Sequence, residues 1–263
     1  GDGGTDVMKF TIVEGLSVEG IAQSLVDQKV FASADRFLEL CRTGEGIKDK
    51  YDFIADVANK GDEGRIYLLE GYLYPDTYEI YVGSSEETVI GKMLDRMNVI
   101  YGAGYTSRAE ELNMSMDQVV TLASIIEKEG KHDTFDKVSA VFHNRLDQKM
   151  ALGSDVTVQY ALGVKRLVLT QSELGVDSPY NTYTHTGLPV GAICSPGDAA
   201  IEAALYPDSD YVDEGYLYFT LTDPETGELA FSKTLEEHNA LVEQYRPLWQ
   251  AYDQKIQQAA ANP

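Results

Sequence analysis

Apolar residues return every three to four positions through much of this chain, and the stretches they mark read as helices separated by short alternating runs. Residues 8–13 (MKFTIV) predict a strand and Glu14-Gly15 a turn. Ser17 then opens a helix with Val18, Ile21, Ala22 and Leu25 inward. A second helix is expected over 33–42, with Phe37, Leu38 and Cys41 inward. Residues 49–64 are polar and poorly patterned apart from Phe53, Ile54 and Val57, and read as mixed helix and loop. Residues 66–81, rich in Tyr, Leu and Ile, suggest extended structure around Pro75-Asp76. Gly83-Ser84-Ser85 precedes a helix with Val89, Ile90, Met93, Leu94 and Met97 inward. FTIVEGLSVEGIAQSLV and YEIYVGSSEETVIGKML align without gaps as strand, glycine turn, serine cap and helix. This weak internal repeat predicts two βα units whose strands pair in one small sheet.

Further helices are expected at 107–112, 115–131, 136–150 (Val138, Val141, Phe142 and Leu146 inward), 156–162 and 198–205. Residues 178–196 are rich in Pro, Gly, Thr, Tyr and Asn with little periodicity, and read as a long ordered loop. Residues 216–221 and 229–232 flank PETGE as a β-hairpin. A closing helix follows over 235–257, kinked or interrupted at Pro247. The pattern as a whole predicts an α+β fold.

The run 114–131, MSMDQVVTLASIIEKEGK, carries the strongest chemical signal. Ser115 with Gln118 three residues on is a capping-box start, and Gly130 is a stop. Val119, Val120, Leu122, Ala123, Ile125 and Ile126 form an apolar face and its flank. Glu127 lies one turn beyond Ala123, so it extends that stripe. A carboxyl at an apolar edge loses hydration, which favours its protonated form, the property a general acid needs. The plain alternative is a surface ion pair with Lys131, four residues on.

The chain has 263 residues and a formal net charge of −22. Its length suffices for one large domain or two moderate ones. The acid excess argues against nucleic acid as a partner and against adsorption to anionic lipid, and suits a neutral or polysaccharide substrate. Cys41 and Cys194 are far apart and outside any CxxC spacing, so two buried thiols are expected. His132, His143, His185 and His238 form no HxxxH or HExxH pattern, and neither metal nor cofactor is expected. No apolar run reaches membrane-span length. The opening GDGGTDV reads as a processed terminus without a signal peptide, and leaves an upstream anchor open.

Several segments resemble one family in order: YLLEGYLYPDTY (67–78), ASIIEKE (123–129), VFHNRL (141–146), GSDVTVQYALG (153–163), SPYNTYTHTGLPVGAICSPGDAAIEAALYP (178–207), YLYF (216–219) and FSKTLEEHN (231–239). They are similar to the YceG-like endolytic murein transglycosylases, over roughly residues 8–246. The resemblance implies a LysM-like N-terminal region over 8–100, of two βα units, and a YceG-like catalytic domain over 101–250 that closes with the hairpin and helix. It implies cleavage of peptidoglycan glycan strands between N-acetylmuramic acid and N-acetylglucosamine, leaving 1,6-anhydromuramic ends. The catalytic acid of its (V/I)EKE motif falls on Glu127. An extracytoplasmic location, a single N-terminal membrane helix not present in this chain, and an association with peptidoglycan synthases are family expectations.

Further residues are candidates to bind the substrate. Asp155 stands where the family shows an acidic residue, with a helix N-cap as the alternative. Tyr180, Asn181 and Tyr183 offer aromatic faces and an amide suited to a pyranose and its acetamido group, with loop packing as the alternative. Glu70 is a candidate to line the site or to bond backbone. Glu129 reads as a supporting or surface group. A buried Arg145 would need a carboxylate, Glu127 or Asp155. The family's His-x-Phe before the last helix is replaced here by Leu229-Ala230-Phe231. Two other functions stay open: a lysozyme-like hydrolase with Asp155 positioning water, and a non-catalytic wall-binding module.

Overall fold

The computed structural model describes residues 6–61 and 64–262. Gly1 to Thr5 of the opening, and residues 62 and 63 of the polar 49–64 segment, lie outside it. The chain forms two compact units. The first holds the residues up to Lys128 together with Val190–Leu205, and the second holds Glu129–Pro189 and Tyr206–Pro263. The boundary expected at residue 100 falls inside a helix, Glu86–Gly104.

In the first unit, β1 (Val7–Thr11) and β2 (Thr77–Tyr81) pair antiparallel, from Val7 opposite Tyr81 to Thr11 opposite Thr77. Alternation sorts the two faces: Phe10, Tyr78 and Ile80 are buried, whereas Val7 and Tyr81 are exposed. Phe10 and Tyr78 stack across the pair at 5.4 Å. After β1, Ser17 caps α1 (Val18–Asp27) by accepting the Gly20 N–H, and Val18, Ile21, Ala22 and Leu25 go inward. Ser85 repeats the device at α4 (Glu86–Gly104) after β2. Between them lie α2 (Asp35–Thr43), a 3-10 turn at Lys48–Lys50, and α3 (Asp52–Asn59). In α2 it is Leu40, with Phe37 and Cys41, that is fully buried, while Leu38 lies at the margin.

α5 (Thr106–Glu111) leads to α6 (Met116–Glu129). The capping box forms as its spacing requires. Ser115 Oγ accepts the Gln118 N–H at 3.2 Å, and Gln118 Oε1 accepts the Ser115 N–H at 2.9 Å. Every residue from Val119 to Ile126 is buried, so α6 is sheltered all round and not on one stripe. Its polar start is held by an ion cluster. Asp117 takes Arg65 at 2.6 Å, Lys60 at 2.8 Å and the Tyr72 phenol at 2.5 Å. Arg65 also donates to Val190 O at 2.8 Å, which ties the returning 190–205 segment to the same end of the helix. That segment crosses close beside Gly71. A Cβ on Gly71 would stand 2.5 Å from Ala192 Cβ and 2.8 Å from Val120, and its φ of +96° is itself glycine's. The segment ends in α10 (Asp198–Leu205).

The second unit contains α7 (Phe135–Asp147), α8 (Asp155–Leu162), α9 (Gln171–Leu174) and α11 (Ser209–Glu214). The predicted hairpin forms from β3 (Tyr218–Asp223) and β4 (Glu228–Ser232), with an irregularity between Leu221 and Asp223. Phe142 of α7 packs edge-on against Phe219 at 5.6 Å. The closing helix α12 (Leu235–Ala261) continues without interruption past Pro247. Pro247 removes one donor, but the turns after it are pinned. Trp249 Nε1 donates to Leu221 O at 2.8 Å, and Asp253 accepts the Leu167 and Val168 N–H groups at 3.0 Å each. Among the described residues no helix is long and apolar enough to cross a membrane.

Candidate functional site

Glu127 directly follows the buried stretch of α6 and is half-buried. Backbone from two distant segments is brought to it. In the returning loop, Ile193 donates its N–H to Ser124 Oγ at 3.1 Å and the Cys194 thiol donates to Ser124 O at 3.3 Å. Ser195 then exchanges backbone bonds with the turn after β1: its N–H donates to Leu16 O at 2.8 Å, and its carbonyl accepts Gly15 N–H at 2.9 Å. Two residues later, Gly197 donates its N–H to Glu127 Oε1 at 2.9 Å. The β1–α1 turn, the 190–197 loop and the end of α6 are thus locked to one another through main chain.

That lock delivers a group which the sequence reading took only as a turn residue. A carboxylate oxygen of Glu14 lies within 4.8 Å of one from Glu127. A Cβ at Gly197 would fall 2.4 Å from the Glu14 carboxyl, so glycine is what lets Glu14 close over this point. Lys128, next on the helix, reaches back to Gly15 O at 3.4 Å. Lys131, the alternative partner considered for Glu127, places its ammonium on Glu228 at 2.7 Å.

Glu70 is also in the first unit, but inside it. It is 2% exposed, and its Oε2 accepts the Val18 N–H at 2.8 Å, at the positive end of α1. It takes the backbone-bonding alternative. Cys41 and Cys194 are free and buried, and burial pushes both thiols up.

The other nominated residues belong to the second unit. Asp155 is the first residue of α8, not its cap; Ser154 holds the cap position. The Tyr183 phenol donates to Asp155 Oδ1, and 41% of Tyr183 stays exposed. Residues 153–157 and 182 are laced beneath this pair. Gly153 N–H donates to Thr182 O at 3.0 Å, Ser154 N–H to Thr182 Oγ1 at 2.9 Å, and the Thr157 and Thr182 hydroxyls bond at 2.9 Å. Tyr180 and Asn181 take the loop-packing alternative. Both are 1% exposed; Tyr180 packs on Tyr160 at 4.9 Å. The Asn181 amide donates to Leu174 O and Val176 O and accepts the Tyr183 N–H at 2.8 Å.

Arg145 corrects an expectation. Its guanidinium is satisfied by carbonyls, not by a carboxylate. It donates to Leu217 O at 2.6 Å, Ala151 O at 2.8 Å and Leu152 O at 3.2 Å, and lies over the Tyr218 ring at 4.9 Å. Tyr218 stacks in turn on His238, whose Nδ1 meets Thr220 Oγ1 at 3.1 Å. Burial, and then the Arg145 charge, lower the His238 pKa.

The last residue of α6, Glu129, has a raised pKa. It is half-buried at the end of α6, and burial first, then the charge of Asp155, push its pKa up to about 8, with the Ser154 hydroxyl opposing them. Burial raises Asp155 as well, against the Tyr183 hydrogen bond and the Arg246 charge. Burial and Asp155 together push the Tyr183 phenol up.

The YceG-like family model matches residues 2–244. The chain belongs to the YceG-like family. An endolytic murein transglycosylase of Bacillus subtilis (strain 168) is 36% identical over 241 residues, which cover 90% of this chain and 65% of that protein. One from Streptococcus pneumoniae serotype 2 (strain D39) is 31% identical over 262 residues, 92% of this chain and 46% of that protein. A crystal structure of a YceG-like protein from Listeria monocytogenes superposes with a TM-score of 0.76 at 37% identity, covering 89% of this chain and 75% of that one. The chain therefore spans just under two thirds of the first curated relative and under half of the second. In this YceG-like chain, two of the segments that carry the family likeness, ASIIEKE and the CSPGD stretch, meet at the Gly197–Glu127 hydrogen bond.

Proposed function

We propose that this chain is the catalytic part of an endolytic murein transglycosylase, with Glu127 as its acid and base. The observation that carries the reading is the Glu127 carboxylate fixed by the Gly197 N–H, in a member of a family whose curated relatives carry that name. Glu127, protonated, donates to the glycosidic oxygen between N-acetylmuramic acid and N-acetylglucosamine as the bond breaks. The sugar's own acetamido carbonyl steadies the cationic carbon. Glu127, now a carboxylate, takes the proton from the C6 hydroxyl, whose oxygen closes onto C1 to give a 1,6-anhydro end. The attack is intramolecular, so proximity supplies much of the rate and no base is needed to activate water. Exclusion of water keeps hydrolysis from competing.

The reading extends to an extracytoplasmic site of action on the bacterial membrane, reached through an N-terminal anchor in the full-length protein. It also extends to a LysM-like role for the two βα units and to work beside peptidoglycan synthases. These follow from the family resemblance. The acidic surface is compatible with a neutral glycan backbone.

One observation favours a second reading, hydrolysis. Ordinary glycosidases use two carboxylates, and Glu14 supplies a second one beside Glu127. Mass spectrometry of glycan strands digested by the protein separates the two. Anhydro ends support the transglycosylase, and reducing ends support the hydrolase. Binding without cleavage by the wild-type protein would instead make it a wall-binding module.

A further inference from the structure

Acidic residues outnumber basic ones in this chain by 43 to 21, so a cation taken out of water has carboxylates in plenty to pair with. Arg65 finds one: its side chain is 6% exposed and it takes Asp117 at 2.6 Å. Arg145 does not. It is half-buried on α7, and burial lowers its pKa. Its carbonyl partners engage only Nε, which donates to Leu217 O, and Nη1, which donates to Ala151 O and Leu152 O. The guanidinium fork carries two further N–H groups on Nη2. Among the described residues these have no hydrogen-bond partner, and Nη2 is not sealed from solvent. Asp155 is taken by the Tyr183 phenol instead.

The surroundings of that open edge suit a sugar acid. Tyr218 lies under the guanidinium at 4.9 Å and fixes its plane. Gly153 lies beside it, its N–H bonded to Thr182 O at 3.0 Å. A Cβ on Gly153 would stand 3.6 Å from Arg145 Nη1 and 3.6 Å from Tyr183 Cε1, so the cation and the Tyr183 ring come together over bare backbone. The Tyr183 ring is partly open to solvent while its hydroxyl is anchored. A fixed cation next to an open aromatic face is the pairing that a pyranose bearing a carboxylate needs.

Resting on the glycan-cutting reading above, we propose that Arg145 is a carboxylate seat for the substrate: its Nη2 edge takes the carboxylate on the side chain of one muramic residue while Tyr183 packs against a sugar ring. Muramic acid carries a lactyl ether on its ring. The lactyl carboxylate is free where the peptide stem has been removed, and is tied up as an amide where the stem is attached. An attached stem offers carboxylates of its own, further from the sugar. The short step from Arg145 to Tyr183 across Gly153 favours the carboxylate that lies close to its ring, the lactyl one. The three carbonyls hold the fork in place before substrate arrives, so little side-chain ordering is left for binding to supply. The seat selects which strand binds, and its effect falls on KM.

The test measures KM for GlcNAc–MurNAc strands in three forms: stripped of peptide with free lactyl carboxylates, the same strands with those carboxylates converted to methylamides, and strands with their stems intact. Each is given to wild type, Arg145→Gln and Arg145→Lys. Wild type is expected to favour the free carboxylate over the methylamide at least about tenfold, the worth of one hydrogen bond between charged groups. Arg145→Gln loses that preference, and Arg145→Lys, which keeps the charge, retains part of it. A purely structural role for Arg145 would weaken both stripped forms alike and leave the preference standing in Arg145→Gln, which overturns the proposal. A wild type that favours neither stripped form overturns it too, unless it favours stem-bearing strands and loses that in Arg145→Gln, which supports the seat with a stem carboxylate as its ligand. A second measurement does not need the variant to fold. Wild type is titrated with a peptide-free tetrasaccharide in the carboxylate and the methylamide form, and the Arg145 side-chain nitrogen signals are followed by NMR. A shift with the carboxylate alone supports the seat, and a shift with both or with neither overturns it. If wild type cuts no strand, the glycan-cutting reading fails, and the same titration still decides whether Arg145 takes the carboxylate.

Discussion

Gly197 donates its backbone N–H to Glu127 Oε1 at 2.9 Å, across 70 residues of sequence. A main-chain donor cannot be mutated away, but its approach can be. A Cβ at 197 would lie 2.4 Å from the Glu14 carboxyl, the mobile end of a side chain. We expect Gly197→Ala to push Glu14 aside at small cost to folding, within about 1 kcal/mol, since the group that must move is flexible. Glycan cutting should nevertheless fall at least about tenfold, the value of one hydrogen bond to a charged group. A thermal melt beside a cleavage assay checks both halves. Full activity with a normal melt would mean that Glu14 and the loop do not shape the site.

Glu14 itself distinguishes the two chemistries. Its carboxylate is within 4.8 Å of Glu127's, the arrangement a two-carboxylate hydrolase would use. For the ring-closing reaction, Glu14→Gln should slow cleavage less than Glu127→Gln and leave anhydro ends as the product. Loss of all cleavage in Glu14→Gln together with reducing ends in the wild type would point to hydrolysis.

Glu70 is expected to matter for stability alone. It is buried and accepts the Val18 N–H at the start of α1. Glu70→Ala leaves that donor unsatisfied and removes a charge from the positive end of the helix. The expected cost is about 1–3 kcal/mol, seen as a lowered melting temperature, with KM for glycan unchanged in the folded fraction. A raised KM with an unchanged melt would return Glu70 to the substrate site.

Stability should depend on alkali through Glu129. Its proton affinity is raised in the folded state, to about 8 against 4.5. Between those values the folded chain holds a proton that the unfolded chain has released. Stability is therefore full below about pH 4.5 for this group and is lost as pH rises towards 8, by at most about 1.4 kcal/mol per unit. Burial raises Asp155 in the same direction. Urea unfolding of wild type and Glu129→Gln from pH 5 to 9 should give curves that separate steadily, the variant being more stable at the alkaline end. Parallel curves would show that Glu129 ionises freely in the fold.

What was legible in the sequence was local. The Ser115–Gln118 capping box, the Ser17 and Ser85 caps, and the hairpin around PETGE rest on residues a few positions apart, and each forms where the pattern puts it. Glu127 could be singled out because an acid continuing an apolar stripe is visible on one helix. Its neighbour Glu14 could not be, because an Glu-Gly pair after a strand reads as turn chemistry, and 113 residues separate it from Glu127. Arg145 was matched to a carboxylate because charge pairing is the obvious rule, yet three carbonyls in its reach satisfy the guanidinium. Tyr180 and Asn181 carry chemistry that suits a sugar, but the same groups suit a loop that must satisfy its own backbone, and burial decides for the loop. Pro247 was expected to kink or interrupt the closing helix, which is not interrupted, and contacts through Trp249 and Asp253 hold the turns after it.

The claim at the centre is that one carboxyl, Glu127, carries the proton in both halves of a ring-closing cleavage. The direct measurement is the end-group mass of glycan strands treated with wild type and with Glu127→Gln, each shown by its melt to be folded. The account predicts 1,6-anhydromuramic ends from the wild type and intact strands from the variant. Strands cut equally well by Glu127→Gln, or wild-type products that end in reducing sugars, would contradict it.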